Sequence, residues 1–326
     1  MNQTVKAAIP SSGTSGSFSA TLSGLTPGQK YYFKAYAVVN GTGDYASQEK
    51  TVTASSYSDF TLPASDVEPA VAGKNWLELP GKTSASNQAV VTYSDSNGNR
   101  NYTHCYDKST YTSLWTSYHL NSSHMGSLKR PNSWYYSPSI GETDQVNLKT
   151  HSYNNNYSKG HMIPNASRNG NEEMQKQTFY VTNAVPQIQD KFNGGIWQSL
   201  EGALQNIGKS EEIYIVTGVA FNTVGESKEI KYTTAKDDTT KQVPVPNYFY
   251  KVVLKVNKSG STITGASAIG FWFEHEEYEK GDSYENYAVS VDQIEQWTGF
   301  DFFVNVPDFY EEKAEANNSW PVFQSF

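Results

Sequence analysis

The stretch YSKGHMIPNAS, residues 157–167, places a histidine directly after a glycine and close to a lysine. A neutral imidazole has an unperturbed pKa of about 6.5, so His161 can take a proton from water near neutral pH. Gly160 would allow the backbone to approach a substrate closely, because it has no side chain. Lys159 would add positive charge beside the histidine. These residue types suit the activation of water next to an anionic group. An isolated Gly-His pair is more often structural.

Downstream, Asn193 and Glu201 bracket a stretch with helical periodicity. On a helical wheel they lie about 80° apart and flank one apolar stripe, formed by Ile196, Leu200, Ala203 and Leu204. Both could therefore face one cleft, where amide and carboxylate oxygens suit a hard cation such as Mg²⁺. The alternative is an ordinary helix N-cap and a solvated glutamate.

These residues stand in a continuous run of motifs over residues 157–204. The run resembles the DNA/RNA non-specific endonuclease family, whose ββα-metal nucleases cut both DNA and RNA. The family signature is Asp-Arg-Gly-His, then Thr-Asn-x-x-Pro-Gln, then Asn, Trp and Leu-Glu. In this chain the signature is SKGH at 158–161, TNAVPQ at 182–187, Asn193, Trp197 and Leu200-Glu201.

Further blocks extend the resemblance to roughly residues 73–326. They are NWLELP, RNYTHCYD, SLWTSYHL, IYIVTGVAF, VPNYFYKVVL and WTGFDFFVNVPD. The order and spacing of so many motifs argue against a chance similarity.

The resemblance implies specific roles for individual residues. His161 would be the general base, Asn193 a direct Mg²⁺ ligand, and Glu201 a residue that holds the waters of the metal. Asn183 would support the histidine and its loop, and Arg130 would bind phosphate.

The family also implies DNA and RNA as substrates and products with a 5′ phosphate. Mn²⁺ or another divalent cation could replace Mg²⁺, and no protein partner is indicated. Two positions depart from the signature. Ser158 replaces an aspartate, a change expected to matter little for the chemistry. Lys159 replaces an arginine and offers a point charge without a bidentate fork.

The composition narrows the class of protein. The formal net charge of −8 argues against binding nucleic acid through a generally basic surface, so an anionic substrate needs a local positive cleft. The single cysteine, Cys105, excludes an internal disulfide and is expected to be a small buried thiol. No stretch is apolar enough for a membrane helix. We expect an extracellular, periplasmic or cell-surface bacterial protein whose export signal preceded the present chain.

Three regions are predicted along the chain. Residues 1–54 alternate like short strands, and Leu25, Pro27 and Tyr31 resemble the second half of a fibronectin type III domain. Residues 55–72 are typical of a linker. Residues 73–326 would form the endonuclease domain.

The fold class predicted for the large region is α+β, a ββα-metal nuclease fold with a largely antiparallel sheet. Helices are expected at 170–177, 194–207 and 290–297. Strands are expected in NQAVVTYSD, TFYVTNAV, EIYIVTGVAF, YFYKVVLKV and ITGASAIGFWF.

Two other classes of function remain open. One is a nuclease-like domain without activity that binds nucleic acid or serves as a surface scaffold. The other is an adhesion protein that uses its β-sandwich. The acidic run at 273–285 could bind a metal, but such runs are usually solvated. The remaining histidines carry no comparable motif.

Overall fold

The computed structural model describes residues 30–33, 36–38, 44–46, 50–53, 67–83 and 85–326. The chain divides into two compact units, Met1–Leu62 and Pro63–Phe326. The strands are β1 (Lys30–Phe33), β2 (Tyr36–Val38), β3 (Asp44–Ala46), β4 (Lys50–Thr53), β5 (Gln88–Ser94), β6 (Arg100–Asp107), β7 (Thr112–Leu120), β8 (Tyr157–His161), β9 (Ala184–Ile188), β10 (Ile213–Ala220), β11 (Tyr232–Ala235), β12 (Asp238–Pro244), β13 (Tyr248–Ser259), β14 (Thr262–Glu274) and β15 (Ala288–Val289). The helices are α1 (Glu172–Gln177), α2 (Gln198–Gly208), α3 (Val291–Thr298), α4 (Asp308–Glu315) and α5 (Trp320–Ser325).

In the first unit, β1 pairs antiparallel with β4, and β2 pairs antiparallel with β3. Residues 1–29, which include Leu25 and Pro27, and most of the predicted linker lie outside the described residues. The fibronectin-like sandwich and the domain boundaries therefore stay predictions.

The second unit is built on an antiparallel sheet of seven strands in the order β15-β14-β13-β10-β7-β6-β5. Strand β10, at its centre, is buried along its whole length. Its sequence IYIVTGVA is accordingly a nearly continuous apolar run, as expected for a strand covered on both faces.

Successive side chains of β13 point to opposite faces of the sheet. Phe249 packs against Trp197 at the start of α2. Its neighbour Tyr250 points to the opposite face, where it contacts Trp272 and Phe302. Helix α3 covers that second face, because Ile294 lies against Gly270 of β14.

This architecture confirms the predicted α+β class with a largely antiparallel sheet. It also corrects two elements. TFYVTNAV is not one strand, because residues 181–183 form a short 3₁₀ turn and β9 begins only at Ala184. The helix expected from residue 194 begins at Gln198. No helix in the described part of the chain has the length and apolarity that crossing a bilayer requires.

Candidate active site

His161 is the last residue of β8, which pairs antiparallel with β9. The register places His161 opposite Ala184, and α2 follows β9 after an irregular connection. His161 thus lies at the end of a two-stranded ribbon, and one cavity is lined by both His161 and residues of α2.

Gly160 is required by packing between the strands. A Cβ atom at this position would lie 2.1 Å from Oε1 and 2.7 Å from Cβ of Gln187, a buried residue of β9. The close approach that Gly160 makes in this structure is to Gln187, and an approach of its backbone to the substrate stays a prediction.

Asn183 is fully buried and holds the chain that follows His161. Its Oδ1 atom accepts a hydrogen bond from the backbone nitrogen of Ile163 at 3.0 Å. Its Nδ2 atom donates to the carbonyl oxygens of Ile163 at 3.1 Å and Thr178 at 2.8 Å. These bonds fix the turn after β8, and with it the end of the strand that carries the histidine.

The imidazole of His161 packs between two aromatic rings. The ring centroids of Trp134 and Phe179 lie 4.7 Å and 5.0 Å from its own. Burial, followed by the positive charges of Arg130 and Lys159, lowers the pKa of His161 to about 3. The imidazole is therefore neutral at pH 7. Its Nε2 atom is covered from solvent and has no hydrogen-bond partner among the described residues.

Asn193 lies in the irregular segment Gln189–Trp197, outside α2. Lys191 there has a φ of 63°, and Gly195 departs from helical angles with φ −128° and ψ −114°. The helical-wheel position assigned to Asn193 is therefore wrong. Its Nδ2 atom donates hydrogen bonds to Ser158 Oγ and Gln189 Oε1, both at 3.1 Å. Because the nitrogen makes both bonds, Oδ1 is the atom that remains for a cation.

Glu201 projects from the first turn of α2 towards a buried lysine of β13. Its Oε1 atom lies 3.8 Å from Lys251 Nζ, which also donates a hydrogen bond to Thr217 Oγ1 at 2.7 Å. Burial raises the pKa of the Glu201 carboxyl, and the Lys251 ammonium opposes that shift. The lysine therefore favours the ionised carboxylate, which is the form that can bind a cation or its waters.

Two cationic side chains complete the site. Lys159 Nζ donates to the carbonyl oxygen of Leu148 at 2.9 Å and lies 5.0 Å from the centroid of the Trp134 ring. The exposed Arg130 places its guanidinium carbon 5.2 Å from the centroid of the Phe179 ring. Both cations thus lie against the same aromatic rings that contact His161.

One open cavity of about 940 Å³ brings most of the expected residues together. Its lining includes His161, Asn193, Glu201, Lys159 and Arg130. Asn183 is not part of the lining and acts from behind it. The half-buried oxygen donors Asn193 and Glu201 suit a hard divalent cation, and the fixed amide of Asn193 presents oxygen to it.

Sequence reasoning missed four contributors: Trp134, Phe179, Ser158 and Lys251. Ser158 stood in the quoted motif, but nothing in the sequence connects it to Asn193. Lys251 gave a weak signal as a charged residue inside the apolar strand YFYKVVLKV. Nothing in the sequence indicated a role for Trp134 or Phe179.

The other candidates named from the sequence, Cys105 and the acidic run, do not line this cavity. Cys105 is a free, buried thiol, as expected. The carboxylates of the acidic run at 273–285 are exposed. In the described residues, the carboxylates close enough to share an ion are Asp292, Glu295 and Glu315.

Comparison with known proteins places this chain in a family. The family model for DNA/RNA non-specific endonuclease matches residues 82–309. The chain therefore belongs to the DNA/RNA non-specific endonuclease family, a class of nucleic-acid-hydrolysing enzymes.

Individual relatives agree with the family match. A nuclease of Nostoc sp. is 28% identical over 66% of this chain and 75% of its own length. Mitochondrial nuclease 1 of Schizosaccharomyces pombe is 29% identical over 46% of this chain, and mitochondrial nuclease EXOG of Danio rerio is 28% identical over 62%. The chain spans 47% and 59% of the length of these last two.

The fold also matches a solved structure. A chain in the crystal structure of the EndoG/EndoGI complex superposes with a TM-score of 0.57 at 19% identity. The match covers 67% of this chain and 88% of that one. At this identity the likeness concerns the fold.

Proposed function

We propose that the chain is a divalent-cation-dependent endonuclease that hydrolyses phosphodiester bonds in both DNA and RNA. Mg²⁺ is the expected ion, with Mn²⁺ or another divalent cation as a substitute. The observation that carries the proposal is the single cavity lined by His161, Asn193 and Glu201. A neutral imidazole and a pair of oxygen donors are the groups that water activation and cation binding require.

His161 is the general base of the proposed reaction. The neutral imidazole accepts a proton from the attacking water as the water oxygen bonds to phosphorus. The bond between phosphorus and the 3′ oxygen breaks, so the phosphate stays on the 5′ oxygen of the downstream nucleotide. The 3′ oxygen of the upstream nucleotide takes up a proton from solvent and leaves as a hydroxyl. Trp134 and Phe179 hold the ring and bury part of it, so the imidazole stays neutral before the substrate arrives.

Asn193 and Glu201 would hold the cation in this proposal, Asn193 directly through Oδ1 and Glu201 through bound water. A bound divalent cation would neutralise charge that develops on the phosphate and the leaving oxygen. Ser158 and Gln189 orient the amide of Asn193. Lys251 favours the ionised form of Glu201.

Arg130 and Lys159 would bind the phosphate groups of the substrate. They give the cavity local positive charge in a chain with a net charge of −8. Because phosphate binding releases condensed counterions, cutting should weaken as salt rises. The expected extracellular, periplasmic or cell-surface location stays a prediction.

A plasmid-nicking assay tests the proposal. In Mg²⁺, the native chain should convert supercoiled plasmid to the nicked form and cut single-stranded RNA. EDTA should abolish both activities. His161→Ala should lose cutting, whereas His151→Ala should keep it. His151 is the matched control because it is exposed, pairs with Asp237 and lies outside the cavity lining.

A native chain that binds plasmid without cutting it in any divalent cation would contradict the proposal. That result would favour the inactive nucleic-acid-binding or scaffold module. Equal activity of His161→Ala and the native chain would contradict the role of the histidine.

A further inference from the structure

A second carboxylate cluster lies on the face of the sheet opposite the cavity. Asp292 and Glu295 stand one turn apart on α3, and Glu315 is the last residue of α4. Ligand oxygens from the three carboxylates lie within 4.8 Å of one another. The proposed catalysis uses none of these residues.

Glu315 has an unsatisfied polar atom. The residue is 4% exposed, and its Oε1 atom is covered from solvent without a hydrogen-bond partner in the described part of the chain. An ionised carboxylate without a partner is costly to bury. The position at the C-terminal, negative end of α4 increases that cost. An ionised Glu315 would therefore need a positive charge as its partner.

No side-chain charge that acts on Glu315 in the described part of the chain is positive. Burial, and then the neighbouring carboxylates, raise the pKa of Glu315 well above its usual range. Burial raises the pKa of Glu295 to about 7, with Asp301 and Asp292 acting in the same direction. The side-chain charges acting on both groups are all acidic.

We propose that Asp292, Glu295 and Glu315 form a binding site for a divalent cation, with Ca²⁺ as the best match, separate from the catalytic cavity. Calcium binds oxygen at about 2.3–2.6 Å, so ligands on opposite sides of one ion are about 4.6–5.2 Å apart. The observed 4.8 Å limit therefore allows one ion to contact all three carboxylates. Calcium also tolerates irregular sets of ligands, unlike the near-octahedral Mg²⁺.

The site would join elements that are distant in the sequence. Glu295 Oε1 accepts a hydrogen bond from the backbone nitrogen of Phe302 at 2.7 Å, which already fixes that carboxylate against the segment between α3 and α4. Glu315 would bring the C-terminal end of α4 to the same ion. An ion bound here would tie both helices together and stabilise the layer that covers this face of the sheet.

Calcium titrations of the metal-free chain test the site by thermal unfolding and calorimetry. Free Ca²⁺ at 100 times the dissociation constant should raise the Tm of the wild type by about 5–10 °C. Asn193→Ala, which alters the catalytic cavity, should show the same rise. Glu315→Gln should lose both the rise and one calorimetric binding site, while retaining Mg²⁺-dependent cutting if the proposed catalysis is correct.

Glu312→Gln is the matched control, since it removes an exposed carboxylate from the same helix and should preserve the rise. If Glu315→Gln does not fold, Asp292→Asn on the exposed side provides the same comparison. The site is refuted if the wild type shows no calcium-dependent rise. It is refuted equally if the rise survives in Glu315→Gln or Asp292→Asn, or disappears in Asn193→Ala. None of these binding results depends on whether the cavity cuts nucleic acid.

Discussion

The amide nitrogen of Asn193 donates a hydrogen bond to the hydroxyl oxygen of Ser158 at 3.1 Å. That hydroxyl in turn donates to the carbonyl oxygen of Gln187 at 2.9 Å. The proton of Ser158 is thus directed at β9, and its oxygen is free to accept from Asn193. The residue that replaces the aspartate of the family signature therefore orients the expected metal ligand.

Ser158→Ala should raise the Mg²⁺ concentration for half-maximal cutting by about 2–10-fold, since one hydrogen bond contributes about 0.5–1.5 kcal/mol. The rate at saturating Mg²⁺ should change little, because His161 is untouched. A magnesium titration of the nicking rate measures both quantities. Ser199→Ala, which removes an exposed hydroxyl bonded to Gly195, should leave both unchanged. An unchanged magnesium requirement in Ser158→Ala would rule out this orienting role.

Lys251→Met should destabilise the protein by about 3 kcal/mol, because it leaves the Glu201 carboxylate poorly solvated and without its cation. The pKa of Glu201 should rise further, so the acid limb of the pH–rate profile should move to higher pH. Denaturant unfolding and rates between pH 5 and 9 measure the two effects. The control is Lys255→Met on the same face of β13, whose partner Glu211 is largely exposed. Similar losses in both variants would contradict a specific role for Lys251.

The imidazole of His161 should remain neutral in mildly acidic solution. Its folded-state pKa of about 3 lies below the ordinary value, so the neutral form persists as the pH falls and protonation begins only near that value. NMR titration of the metal-free protein should show its ring resonance unchanged between pH 7 and 5. Trp134→Ala should move the midpoint upward by admitting water. A midpoint near 6.5 in the wild type would contradict the burial of this ring.

Because His161 is neutral in the folded protein, its protonation in the unfolded state lowers the free energy of unfolding in acid. Unfolding restores a pKa of about 6.5, so the unfolded state binds a proton that the folded state does not. The contribution of His161 to stability should therefore be lost progressively as the pH falls from about 6.5 towards 3. Unfolding free energies of wild type and His161→Asn between pH 7 and 5 should converge, and parallel curves would contradict this linkage.

Patterns within single elements predicted much of the fold. Alternating or continuous apolar runs located β5, β10, β13 and β14, and periodicity located α1 and α3. TFYVTNAV misled because its apolar residues are buried in a turn, where Val181 donates to the carbonyl oxygen of Tyr135. Periodicity also could not reveal the non-helical backbone around Asn193, although the pair Gly194-Gly195 hinted at a break.

The spaced sequence motifs predicted most residues of the candidate site. They identified residues that line one cavity, but not the contacts that orient them. Lys251 reaches Glu201 across 50 positions of sequence, and Ser158 reaches Asn193 across 35. Such pairs arise from the packing of the sheet against α2 and its preceding segment, which no local pattern encodes.

Single-turnover cutting across a magnesium titration tests the central claim most directly, because it separates the roles of His161 and Asn193. His161→Ala should lower the rate at saturating Mg²⁺ by at least about 10²-fold, with an unchanged half-saturating concentration. Asn193→Ala should raise the half-saturating concentration by at least about 10-fold. Wild-type cutting by His161→Ala, or an unchanged magnesium requirement in Asn193→Ala, would contradict the account.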